Sequence, residues 1–139
     1  AEQLSNGLIL LGSSDLELTF DRNGHQTIGL RFNSVAIPPN ATIHSASVQF
    51  QTDEVSTVPT SMLIQGEAVD NAPTFTGAAN SISTRTRTTA SQTWDPAAWN
   101  SVGEAGPDQQ TSDIASVIQE IVNRGGWNSG NSLALIITG

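Results

Sequence analysis

The run Leu133-Ala134-Leu135-Ile136-Ile137 is the strongest constraint on how this chain folds. Consecutive apolar side chains with no polar alternation describe a strand buried on both faces, and such a strand has a hydrogen-bonded neighbour on each side. Only Thr138 and Gly139 follow it. A second short apolar run, Gly7-Leu8-Ile9-Leu10-Leu11-Gly12, lies near the other end. Leu8 and Leu10 point one way and Ile9 and Leu11 the other, so both faces of this segment want burial. Buried strands at the two ends describe a domain that closes on itself or is completed by another chain. The reading taken here is the second. Residues 1–12 are expected to be a donor segment, apart from a sandwich domain at 13–139. Leu4, Leu8, Ile9, Leu10 and Leu11 would insert beside Leu133, Leu135 and Ile137 of a neighbouring subunit.

Between the ends most segments read as strands. Leu16-Glu17-Leu18-Thr19-Phe20 alternates with period two. Asp21-Arg22-Asn23-Gly24 is a hairpin turn, with Asn-Gly supplying positive φ. Ile28, Leu30 and Phe32 share one face of the next strand, opposite Gly29 and Arg31. Ile43–Thr52 points Ala46, Val48 and Phe50 inward, and Ser61–Val69 is a further strand. Shorter pieces follow at Ser83–Thr89 and Ser91–Trp94. One helix stands out, at about residues 112–124: Ile114, Val117, Ile118, Ile121 and Val122 form a single stripe. Thr111 or Ser112 would cap it, and Gly125-Gly126 would end it. The fold class is therefore all-β, a jelly-roll-like antiparallel sandwich with one packed amphipathic helix across an end. Leu30, Phe32, Val48, Phe50, Ile118, Ile121, Leu135 and Ile137 are the expected core.

Several functions are excluded by charge. The 139 residues hold 5 basic and 13 acidic side chains, giving −8 and a pI near 4.3, and every basic residue is an arginine. This charge repels phosphate backbones and anionic lipid, so nucleic acid is not a partner, and no segment is long enough to insert into a membrane. With no cysteine there is no disulfide framework. A start at Ala1 without Met, with polarity carried by Ser, Thr, Asn and Gln, suggests an exported chain, extracellular or at the cell surface.

A family resemblance rests on several segments. They are Ser13-Ser14-Asp15-Leu16-Glu17-Leu18, Ile28-Gly29-Leu30-Arg31-Phe32, Ile37-Pro38-Pro39-Asn40-Ala41-Thr42-Ile43, and Gly66-Glu67-Ala68-Val69-Asp70-Asn71-Ala72-Pro73-Thr74-Phe75. Trp94-Asp95-Pro96-Ala97-Ala98-Trp99, Val102-Gly103-Glu104-Ala105-Gly106 and the Asp113-to-Trp127 helix complete the set. Together they resemble bacterial extracellular sandwich modules of the DNRLRE-type or carbohydrate-binding-module-like jelly rolls. The resemblance implies a non-catalytic appendage of secreted proteins. It also implies one more strand after the apolar run, which this sequence lacks.

The candidate sites follow from side-chain chemistry. His25 and His44 have no Cys partner and no metal spacing, and no Gly-x-Ser-x-Gly is present, so no catalytic residue is expected and the chain is read as no enzyme. Adjacent Asp53 and Glu54 would face opposite ways on a strand. Asp15, Glu17, Asp53, Glu54 and Asp70 offer hard oxygens near strand ends, suited to a structural calcium ion; no other cofactor is implied. Trp94 and Trp99, with Asp95 and Asn100, could stack on and hydrogen-bond a polysaccharide. Trp127 is read as structural. Asn40-Ala41-Thr42 is a glycosylation sequon on a loop. The function expected is a non-catalytic secreted subunit, a homo-oligomer or polymer that builds a fibre or matrix by strand complementation. The alternative is a carbohydrate-binding module of a larger secreted enzyme or adhesin.

Overall fold

A computed structural model describes residues 1–22 and 24–139. Its elements are β1 (Glu2–Leu4), β2 (Ile9–Leu10), β3 (Phe20–Asp21), β4 (Gly24–Phe32), β5 (Met62–Glu67), β6 (Arg87–Trp94), α1 (Ala115–Val122) and β7 (Leu133–Thr138). The fold is all-β. Among the described residues the strands form one antiparallel sheet in the order β2-β1-β4-β7-β5-β6, with β3 joined to β4.

The apolar run behaves as its composition requires. β7 lies between β4 and β5, with Leu30 opposite Leu135 on one side and Gln65 opposite Ile136 on the other. Leu133, Leu135 and Ile137 enter one core, while Ala134 and Ile136 enter a second on the opposite face. Both edges of β7 are thus hydrogen-bonded within the chain, which corrects the expectation that Leu133, Leu135 and Ile137 await a neighbour's strand. Residues 1–12 are corrected likewise. β1 pairs with β4, and β2 folds back on β1, Gln3 opposite Ile9. Leu4 is half-buried, and Ile9 is buried against Phe75 and Ile82. Leu8, Leu10 and Leu11 stay exposed at the sheet edge. A hairpin between segments this close in sequence closes at little entropic cost.

The helix stripe reads correctly: Ile114, Val117, Ile118, Ile121 and Val122 are all buried. The helix begins later than expected, at Ala115, and neither Thr111 nor Ser112 caps it. Asp113 Oδ1 instead accepts the amide of Ala115 at 2.9 Å. Nor does α1 plug an end. It lies on the face of β5 and β6, where the missing side chain of Gly66 leaves room for Ile121. Trp127 is buried beyond the helix, its indole N–H donating to Ile37 O at 3.0 Å.

The opposite face is covered by residues 70–85. Arg85 ties that cover down: it pairs with Glu67 at 2.6 Å, donates to the carbonyls of Pro73, Thr74 and Ser81, and lies 4.1 Å from the centre of the Phe75 ring. Phe75 in turn sits over Gly29.

Three sequence expectations fail for local reasons. Thr19 has φ of +67°, so the alternation of Leu16 and Leu18 breaks there and Phe20 turns outward, 59% exposed. Phe32, the last residue of β4, is 40% exposed. The segment 43–52 is extended, and Ala46, Val48 and Phe50 do pack on the core, half-buried. It forms no regular strand, because side-chain oxygens of Asp113 and Thr111 take the amides of Ala46 and Val48 in place of a backbone ladder. β3 and β4 do form a hairpin, Asp21 opposite Gly24, and Gly24 has φ of +113°; Asn23 of the expected turn lies outside the described residues.

Candidate functional site

The break at Thr19 and the irregular second layer leave a cleft at one end of the molecule. It measures about 540 Å³ and is walled by residues 13–18 and 20, by the 50–62 connection, and by Pro96, Ala97 and Trp99. Mutual hydrogen bonds between Ser56 and Trp99 (3.0 and 2.8 Å) hold the second and third walls together. Buried Glu2 of β1 holds the first, accepting the Glu17 amide at 2.8 Å.

Trp99 supplies the aromatic wall. Its indole N–H is fixed on Asp108 O at 3.0 Å, and its ring lies 6.4 Å from both Phe50 and Trp94. Trp99 remains half-buried and lines the cleft, as does Phe50. Trp94 is only 3% exposed and stacks on Phe50 at 5.5 Å, so it belongs to the core; this corrects its assignment as a glycan contact. Asp95 and Asn100 are exposed but lie outside the cleft lining, and the Asn100 amide is turned onto Ala98 O of its own loop. Phe20, Val55 and Val58 put exposed apolar surface around the opening, with Val58 74% exposed. Exposed apolar surface clustered beside a concavity marks an interaction site.

Four of the five acids proposed for calcium meet here: Asp15, Glu17, Asp53 and Glu54. Asp53 and Glu54 share the cleft although they are adjacent, because the extended pairing ends at Thr52 and the chain bends. Asp70 is elsewhere, paired with Arg124 at 2.7 Å. Among the described residues no three His, Cys, Asp or Glu side chains converge to hold a metal ion. Burial raises the pKa of Glu17 above the usual carboxylate range, and the neighbouring charges of Glu54, Asp21, Asp15 and Glu2 add to the effect. An adjoining groove continues from Glu17, Phe20 and Glu54 to Asp21 and Arg22.

The sequence did not single out Phe20 and Phe50 as cleft residues. Their apolar phase marked them as core, and nothing local signals the φ reversal at Thr19. His25 is exposed and packs edge-on against Phe20 at 5.4 Å. No described helix is long and apolar enough to cross a membrane. Set against protein-family models, curated proteins and solved structures, the chain matches none.

Proposed function

We propose that this chain is a non-catalytic carbohydrate-binding module of an extracellular or cell-surface protein, and that the Trp99 cleft is its glycan site. One observation carries the reading: a fixed, half-exposed indole in a cleft where acidic side chains stand free to accept hydroxyl hydrogen bonds. Aromatic rings stack on the apolar faces of sugars, while carboxylates and amides orient the hydroxyls. Among the described residues Asp53 and Glu54 form no hydrogen bond or ion pair, so their acceptor capacity is available.

Affinity electrophoresis through gels carrying soluble polysaccharides tests this. At least one glycan should retard the protein, and Trp99→Ala should abolish the retardation while circular dichroism and the melting curve show a folded chain. Because Trp99 also packs on Phe50, Trp99→Phe serves as a second variant and should retain part of the binding. Retardation undiminished in Trp99→Ala would refute the assignment.

A second reading, a self-assembling subunit of an extracellular fibre, has its own support. β2 ends the sheet with Leu8 52% and Leu11 55% exposed, so an apolar edge is open to another chain. Assembly that persists in a Leu8→Asp, Leu11→Asp variant would count against this edge.

A further inference from the structure

We propose that the glycan this cleft selects is cationic: a chain of hexosamine units whose amino groups are free and protonated. The inference rests on the glycan-binding reading and deepens it. Among the described residues the lining of the Trp99 cleft contains Asp15, Glu17, Asp53 and Glu54 and no Lys, Arg or His. Arg22 stands in the adjoining groove, next to Asp21. A uronate or sulfated polymer would bring like charge into this field, and the chain's net −8 adds to the repulsion.

A neutral glycan would fit less well. Its hydroxyls can donate to the carboxylates but leave their negative charge unbalanced, whereas an ammonium group donates and brings the opposite charge as well. Burial raises the pKa of Glu17, and the acids that face it, Glu54, Asp21, Asp15 and Glu2, raise it further. Among the described residues no three His, Cys, Asp or Glu side chains converge to hold a metal ion, and an ammonium group needs no such convergence. Several carboxylates in one cleft with an aromatic wall suit a polymer that carries a charge on each of its stackable rings. The three features belong to one cavity, so the ligand class follows from shape, ring and charge together.

Isothermal titration of the intact chain at low salt decides the matter. The probes are a glucosamine oligomer, the N-acetylglucosamine oligomer of equal length, a galacturonate oligomer, and an oligolysine as a cationic peptide. The glucosamine oligomer should bind about tenfold tighter than its N-acetylated counterpart, the size expected when two or three partly exposed charge pairs form. High salt and the double variant Asp53→Asn, Glu54→Gln should each erase that preference. The galacturonate oligomer should not bind. Equal or tighter binding of the N-acetylated or galacturonate oligomer, lost in Trp99→Ala, would overturn this inference and leave the glycan reading standing. Oligolysine binding as tightly as the glucosamine oligomer would show that the cleft reads charge without sugar, and would also overturn it. Binding by none of the oligosaccharides, together with no retardation on any polysaccharide gel, would remove both readings.

Discussion

Gly66 holds the helix to the sheet, and filling it tests the helix placement directly. A β-carbon at this position would stand 2.6 Å from Ile121 Cδ1 and 3.2 Å from both Thr88 Cγ2 and Val117 Cγ1. Relaxed carbon–carbon contacts lie at about 3.5–4.0 Å, so all three neighbours are too close and the first is a hard clash. Gly66→Ala should therefore destabilise the fold by about 1–3 kcal/mol, the usual range for overpacking. Ile121→Val removes the clashing Cδ1, and by itself should cost about 0.5–1.5 kcal/mol. In combination the two should not add. The cavity left by one receives the methyl of the other, and the double variant should be about 1 kcal/mol better than the sum of the singles, within the coupling range of residues in contact. Relief is partial because Thr88 and Val117 still crowd the new methyl. Urea denaturation of the four proteins, with a common m value, measures the cycle. Additivity within about 0.5 kcal/mol would mean that Ile121 is not seated on Gly66 and that α1 lies elsewhere.

Other expectations address charge. Glu67→Gln leaves the Arg85 guanidinium, only 9% exposed, without a counter-ion. The loss should approach the lower end of about 3–5 kcal/mol, since three carbonyls still hold the arginine, and an unfolding curve matching the parent would refute it. Glu17 has its pKa raised by burial and then by Glu54, Asp21, Asp15 and Glu2, so the folded chain holds that proton more tightly than the unfolded chain. Stability from this residue therefore falls as pH rises from the ordinary carboxylate range through the raised value, and Glu17→Gln should raise the urea midpoint at neutral pH but not in acid; an equal gain at both would contradict the cause given. Asp113 is the opposite case. Amides of Ala46 and Ala115 lower its pKa, so its contribution is present above the ordinary carboxylate range and lost as pH falls through the lowered value. Asp113→Ala should lower Tm at neutral pH and make no difference in strong acid, as scanning calorimetry across pH would show.

The sequence by itself determined the features whose signal is periodic and local. The unbroken apolar run of β7 demanded burial on both faces and received it, and the 3.6-residue stripe from Ile114 to Val122 specified the buried face of α1. Both follow from side-chain direction along a regular backbone, which a sequence states openly. Tertiary structure decided everything that depends on which partner arrives. Whether β7's edges are filled from within or by a second chain depends on where β4 and β5 lie, and those strands are distant in sequence. Whether α1 rests on an end or a face depends on Gly66, a residue whose meaning is the absence of a side chain beneath Ile121. The cleft is the sharpest case. Asp15, Glu17, Asp53, Glu54 and Trp99 were each visible as residue types, but segments far apart in the chain bring them together, and the turn at Thr19 that opens the cleft leaves no mark in hydrophobic period. Asp70 and Trp94 carried the same local signals and were placed elsewhere, one against Arg124 and the other in the core. Residue type shows which chemistry a side chain can perform, and only the packing of the whole chain decides which side chains meet.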